Sequence, residues 1–275
     1  MAQRKKQSFN KAAARRAVAA RLREQKEKFA NAIGRGHVKK VESILNKHPD
    51  AVSWPIDSYY NTELKISPLL HALYDCEAHE GDIVKLLLRK GANANDRAPF
   101  EYSSKTALMI AIQRGASISV VKALIQSGAQ VDAKETSGNT ALIHAVDDRR
   151  TDIAKLLLDK GADVNVRSDD DETPLTIALR NSDPELVSLL LSHGADVHAP
   201  DKRGVSIASS TMERDEYKIT KLIERAIEDH EKKEQEKKRQ KAHEEISSSI
   251  HNGLPHDIVV VPLRLKNSPK PPDPS

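Results

Sequence analysis

One phrase occurs four times in this chain at an almost constant spacing. The copies are LLLRKGANAND at 86–96, ALIQSGAQVDA at 123–133, LLLDKGADVNV at 156–166 and LLLSHGADVHA at 189–199. Their Gly-Ala pairs begin at Gly91, Gly128, Gly161 and Gly194, so the spacings are 37, 33 and 33 residues. A fixed period of this length predicts a stack of similar small units, each contacting only its neighbours, rather than one globular core. Such a stack offers surface for binding before it offers chemistry.

Each phrase forms the second half of a predicted helix–turn–helix unit. Its leucine-rich run has the spacing of a buried helix face, and the glycine that follows suits the left-handed residue that ends a helix. The first helix of each unit opens at a hydroxyl residue, whose side chain can cap the free backbone N–H groups. These openings, with the prolines that follow two of them, are Ser67, Pro68, Thr106, Thr140, Thr173 and Pro174.

The openings carry a family resemblance. SPLLHA at 67–72, TALMIA at 106–111, TALIHA at 140–145 and TPLTIA at 173–178 resemble the T-P-L-H-x-A signature of ankyrin repeats, which have a period of about 33 residues. The resemblance spans roughly residues 29–228 and implies an all-α ankyrin-repeat solenoid of stacked helix pairs with extended finger loops. It also implies a non-catalytic module that binds a partner protein through its fingers and concave face. The histidine of the signature is replaced in every unit, which implies loss of a local tie at the helix start; the replacing residues are Leu70, Met109, Ile143, Thr176 and Ser209.

The domain organisation follows from the repeats and from the composition of the two ends. We predict a basic helical extension over 1–28, ankyrin repeats over 29–228, a charged helix over 229–245 and a disordered tail over 246–275. The units, six including both degenerate caps, are expected at about 29–58, 65–97, 104–134, 138–167 and 171–200, with the last cap at 204–228.

The basic character of the chain belongs to its N-terminal end. Residues 1–28 contain ten basic and two acidic residues, a net charge of +8, whereas the whole chain carries +4. Val18, Leu22, Phe29 and Ile33 form a thin apolar line that leads into the first unit. Three interpretations remain open: a weak contact with nucleic acid or an anionic membrane, a mitochondrial presequence, or a plain soluble helix or arm.

Aromatic residues are concentrated in the two longest finger loops. The chain has nine aromatic residues, and five of them lie in these loops: Trp54, Tyr59, Tyr60, Phe100 and Tyr102. Because tryptophan and tyrosine are favoured anchors of protein interfaces, we predict that this cluster binds the partner. The alternative is that the rings pack against the end of the stack. A second candidate is the acidic finger over 169–172, which could meet a basic partner or hold Ca²⁺ weakly, or be only a solvated charge run.

No set of residues in the sequence predicts chemistry. Cys76 is the only cysteine, so a disulfide within the chain and a cysteine-based zinc site are excluded, and no histidine spacing matches a known zinc motif. We therefore predict no catalytic residues, no metal and no cofactor. No stretch approaches the roughly 20 apolar residues of a membrane span. The expectation is a cytoplasmic monomer; a nuclear location and a bacterial effector secreted to act on a host protein remain open.

Overall fold

The computed structural model describes residues 2–57, 65–75, 80–99, 103–200 and 217–251. Within these ranges the chain is almost entirely helical, which confirms the predicted fold class. It separates into two compact units, Met1–Ala226 and Ile227–Ser275.

Helices follow one another in pairs along the first unit. The first pair is α1 (Ala2–Gly34) and α2 (Val38–Lys47), followed by a 3-10 helix (Pro49–Ser53) and two short antiparallel strands, β1 (Ile56–Asp57) and β2 (Lys65–Ile66). The later pairs are α3 (Pro68–Asp75) and α4 (Glu80–Arg89), α5 (Ala107–Gln113) and α6 (Ile118–Gln126), α7 (Ala141–Asp147) and α8 (Thr151–Asp159), and α9 (Pro174–Arg180) and α10 (Pro184–Ser192).

The first helices start at the predicted hydroxyl residues. Thr106, Thr140 and Thr173 are N-caps, and each side-chain oxygen accepts a hydrogen bond from the backbone N–H three residues later. Ser67 Oγ accepts from Leu70 N at 3.2 Å. The local sequence therefore fixes the start of each first helix, since a cap needs only residues within one turn.

The glycine of each repeated phrase ends a second helix in the left-handed region, as predicted. Its φ is +93° in the first phrase, +89° in the second, +85° in the third and +87° in the fourth. The leucines before it are buried or half-buried; Leu157, for example, is 0% exposed. The phrase thus combines the buried face of a helix with the residue that stops it.

Two layers of helices build the core of the first unit. Along one layer, α1, α3, α5, α7 and α9 each contact the next, and α2, α4, α6, α8 and α10 do the same along the other. The C-terminal turns of α1 therefore act as the first helix of the stack, with Phe29 and Ile33 both fully buried. The basic extension over 1–28 is continuous with this helix and is not a separate element.

The last helix, α11 (Tyr217–His251), runs past the predicted end of the charged helix at 245. The cap predicted at 204–228 is described only from Tyr217 onward, and the part of the predicted tail after His251 lies outside the described residues, as does Cys76. In the described part of the chain, no helix combines the length and apolar character needed to cross a membrane.

Candidate partner-binding surface

The fingers that join successive units are hydrogen-bonded to one another through their backbones. We call residues 97–105, 134–139 and 167–172 the second, third and fourth fingers. Thr136 N donates to Ser103 O at 3.0 Å, and Asp169 N donates to Ser137 O at 3.0 Å. Each finger is therefore held by its neighbour.

A row of basic side chains reinforces this arrangement. Arg97 donates from Nη1 to Lys134 O at 2.9 Å, and Lys134 donates from Nζ to Arg167 O at 3.0 Å. Arg167 in turn donates from Nη2 to Pro200 O at 3.1 Å. Because each cation sits at the base of one finger and bonds the next, the row fixes the distance between fingers.

Asparagines close to the repeated glycines connect the same units. Asn95 Nδ2 donates to Gly128 O at 2.9 Å, and Asn95 Oδ1 accepts from Gln130 N at 2.8 Å. Two units further along the chain, Asn165 Nδ2 donates to Gly194 O at 3.2 Å. The tenth residue of the repeated phrase is thus, in these two copies, a link between units as well as a loop residue.

The third finger folds around a buried carboxylate. The side chain of Glu135 is 3% exposed, and its Oε1 accepts hydrogen bonds from Ser137 Oγ at 3.0 Å and Asn139 Nδ2 at 3.1 Å. Its backbone closes the turn, because Glu135 N donates to Asn139 O and Gly138 N donates to Glu135 O. The finger is therefore a closed turn that hydrogen bonds of the Glu135 carboxylate and backbone stabilise.

A buried histidine from the neighbouring helix faces this carboxylate. His144 Nε2 lies 3.1 Å from Glu135 Oε1, and Lys105 Nζ lies 3.8 Å from Glu135 Oε2. Gln113 Nε2 lies 3.1 Å from His144 Nδ1, so the other ring nitrogen of the histidine contacts the preceding unit. Burial lowers the pKa of His144, against the opposing effect of the Glu135 charge. Through these contacts, Glu135 and His144 link the third finger to helices α5 and α7.

Trp54 lies in the core rather than on the surface. Its side chain packs against Phe29 with ring centroids 6.0 Å apart in an edge-to-face arrangement, and against His48 with centroids 5.6 Å apart. Its Nε1 donates to Asp50 Oδ2 at 2.9 Å, and the residue is only 6% exposed. Trp54 therefore packs against the first unit. For this residue alone, the structure agrees with the alternative interpretation that the aromatic rings pack against the end of the stack.

The structure does not describe the other four residues of the predicted aromatic cluster. Tyr59 and Tyr60 belong to residues 58–64, which join β1 to β2, and Phe100 and Tyr102 belong to the second finger; all four lie outside the described residues. Binding of a partner by these four side chains stays a prediction.

The exposed side chains of the fourth finger are acidic. Asp169, Asp170 and Asp171 are exposed, and Asp171 lies 3.6 Å from Arg167. Glu172, the fourth acid of this run, pairs with Arg180. Among the described residues no group of three or more His, Cys, Asp or Glu side chains has the geometry of a metal site. The acidic tip is thus a charged surface that Arg167 and Arg180 partly neutralise.

A groove of about 560 Å³ lies between α1 and the two short strands. Its walls combine apolar side chains with three cations and two acids: Leu22, Pro55, Ile56, Arg23, Lys26, Lys65, Glu27 and Asp57. Arg23 pairs with Glu27 and Lys65 pairs with Asp57, so Lys26 is the cation of the lining that has no acid partner there. The sequence places Leu22 on an apolar line but does not reveal the groove. The groove depends on the pairing of β1 with β2, which a run of two residues in each strand does not reveal.

The repeat itself matches a known family over well over half of the chain. Three overlapping copies of the ankyrin-repeats family cover residues 29–135, 69–168 and 108–201. The chain belongs to the ankyrin-repeat family. Ankyrin repeats are in general protein–protein interaction modules and are typically non-catalytic.

Solved ankyrin structures agree with this fold. An ankyrin repeat domain from Acinetobacter baumannii AYE shares 21% sequence identity, with a TM-score of 0.60 over 72% of this chain and 96% of that one. The ankyrin repeat domain of Bcl-3, a unique member of the IkappaB protein family, shares 26% identity, with a TM-score of 0.61 over 72% of this chain and 85% of that one. No curated protein sequence matches the chain significantly.

Proposed function

We propose that this ankyrin protein is a non-catalytic adaptor that binds a partner protein through its fingers and the concave face formed by the first helices. The observation that carries the proposal is the bonding between fingers, through Thr136, Asp169 and the cations at Arg97, Lys134 and Arg167. A surface that is already ordered loses little conformational entropy when a partner binds.

The exposed groups on this surface suit a polar partner. Thr136 and Ser137 are exposed on the third finger, and the acidic tip of the fourth finger follows. Gln113 and Arg114 are exposed at the end of α5. Tyr59, Tyr60, Phe100 and Tyr102 supply aromatic anchors at the N-terminal fingers in this proposal.

The single cysteine of the sequence supports a reducing compartment, so we place the adaptor in the cytoplasm, as a monomer.

Site-directed photo-crosslinking in cells tests the proposal. A photoreactive residue is placed at Thr136 or Asp170 on the fingers and, as the matched control, at the exposed Lys155 or Ser188 on the second helices. We expect one partner to be captured from the finger positions and not from the control positions. Capture of the same partner only from Lys155 and Ser188 contradicts the proposed surface.

The aromatic part of the surface needs its own comparison. Replacing Tyr59 and Tyr60 together with alanine should reduce crosslinking from Thr136 without lowering the thermal midpoint. A loss of stability with unchanged capture per folded molecule means that the rings only pack.

A further inference from the structure

Among the side chains that the structure describes, which begin at residue 14 in α1, Val18 and Leu22 are the only large hydrophobic ones that are exposed. Val18 is 67% exposed and Leu22 is 40% exposed. They lie four residues apart on α1, so they share one face of the helix. Both precede residue 29, where the match to the ankyrin family begins. The repeats themselves do not account for them.

The same face of α1 becomes the core of the first unit further along. Phe29 lies seven residues after Leu22, and both Phe29 and Ile33 are 0% exposed. Contacts with α2 and α3 cover this C-terminal part of the helix. The apolar face thus extends past the part that α2 and α3 cover, to Leu22 and then Val18, and Leu22 also lines the groove with Pro55 and Ile56.

Positive charge surrounds this apolar face. Of the basic residues between 14 and 28, Arg23 pairs with Glu27 at 3.2 Å and Lys28 pairs with Glu24 at 2.5 Å. These two glutamates are the only acids of that stretch. The remaining cations make no ion pair within the described residues: Arg15, Arg16, Arg21 and Lys26.

We propose that this face of α1 and the adjoining groove bind an acidic amphipathic helix of a partner protein. The proposal rests on the adaptor function proposed above and names the chemistry of one partner segment. An apolar stripe on the incoming helix would cover Val18 and Leu22 and extend the packing that Phe29 begins. Its acidic flanks would meet the unpaired cations, as in other complexes where a helix lies in a groove and complementary charge selects the partner.

Other anionic partners fit the same residues less well. Neighbouring residues of a helix point about 100° apart, so Arg15 and Lys26 flank the apolar face on one side and Arg21 flanks it on the other, whereas Arg16 points away from it. The cations therefore border the apolar face and are not gathered on the opposite side of the helix. A helix that lies on a membrane needs its charged and apolar faces separated. Nucleic acid would neutralise the cations but would leave Val18 and Leu22 uncovered.

A peptide titration of the full-length chain tests the proposal. The probe is a fluorescein-labelled peptide of 18 residues with leucine at positions i, i+3, i+4 and i+7 of a helix and glutamate elsewhere, followed by fluorescence anisotropy. The controls are a scrambled peptide of the same composition and a peptide with the same leucines but lysine for glutamate. We expect the patterned acidic peptide to bind about 10-fold more tightly than either control, since only this peptide both covers the two aliphatic side chains and pairs with the cations.

Three pairs of substitutions locate the binding face. Val18→Ser with Leu22→Ser, and separately Arg15→Glu with Lys26→Glu, should each weaken binding by about 10-fold. Lys155→Glu with Lys160→Glu, at exposed positions on and just after α8, should leave it within about 2-fold. All six positions lie outside the fully buried core, and far-UV circular dichroism confirms that each variant is folded.

Several results overturn the proposal. Equal binding of the scrambled peptide, or no binding of the patterned one, means that this face of α1 does not bind an acidic amphipathic helix. Tighter binding of a 20-base-pair duplex or of anionic phosphatidylserine vesicles, insensitive to Val18→Ser with Leu22→Ser, assigns the face to nucleic acid or membrane. A dimer in analytical ultracentrifugation that this double substitution dissociates assigns the face to a second copy. Crosslinking from Thr136 that persists in the α1 variants leaves the adaptor function standing in each case.

Discussion

Replacing Gly138 with alanine tests whether neighbouring fingers are mechanically coupled. Gly138 has φ +74°, and an added Cβ would lie 2.5 Å from Asp169 Oδ1 and 2.7 Å from Asp169 N. Gly161 is the matched control, because its φ is +85° and an added Cβ meets no atom within 4 Å. Both substitutions carry the backbone cost of a left-handed alanine, about 1 kcal/mol. Only Gly138→Ala also pushes the fourth finger away.

The extra cost at Gly138 follows from the contact that must break. Moving Asp169 away lengthens its 3.0 Å hydrogen bond to Ser137 O, which removes about 1 kcal/mol, and displaces the backbone around it. We expect Gly138→Ala to lower the free energy of unfolding by about 2–3 kcal/mol and Gly161→Ala by about 1 kcal/mol. Urea denaturation followed by far-UV circular dichroism measures both values.

Amide hydrogen exchange shows where the cost arises. Asp169 N–H should exchange faster in Gly138→Ala and at the wild-type rate in Gly161→Ala, because only the first substitution disturbs the bond between the fingers. Equal losses of stability in the two variants, or unchanged protection of Asp169, would refute the coupling.

Three further predictions follow from individual side chains. Leu157→Ala should cost about 2–5 kcal/mol because Leu157 is 0% exposed, whereas Asp170→Ala on an exposed finger tip should stay within about 0.5 kcal/mol; urea midpoints compare them. Because burial lowers the pKa of His144, the unfolded chain takes up the proton first as the pH falls below about 6.5, so stability drops; in His144→Gln the drop between pH 7 and pH 5, measured by urea denaturation, should be smaller. Trp54→Ala should cost about 3–5 kcal/mol in thermal unfolding, and a cost below about 1 kcal/mol would contradict its packing against Phe29.

Features that depend on a few consecutive residues were predictable from the sequence. Thr140 caps α7, and Gly161 follows the end of α8 in the left-handed region. Both could be predicted because each residue acts within one turn of its own helix. Other features depend on residues that the fold brings from different units. Nothing near Glu135 in the sequence shows that its carboxylate is buried, since Lys105 and His144 come from separate parts of the chain. Trp54 was predicted as an interface anchor, but its place is decided by Phe29 and His48.

Two histidines show how the units stay aligned although the signature histidine is absent. His71 and His144 each occupy the position one residue later, and each reaches back to the preceding unit: His71 Nε2 lies 3.1 Å from Ala30 O, and His144 Nδ1 lies 3.1 Å from Gln113 Nε2. The resemblance implied that a tie at the helix start was lost; in these two units, a histidine at the next position contacts the preceding unit instead.

The two histidines connect neighbouring units through their helices, and the cations and asparagines connect the same units through their loops and fingers. With both sides connected, a finger cannot rotate without breaking polar contacts to its neighbour. Asn95, for example, holds both a carbonyl and an N–H of the following unit. The ordering of the surface is therefore a cost met when the chain folds and not when a partner arrives, which favours binding by a preformed surface.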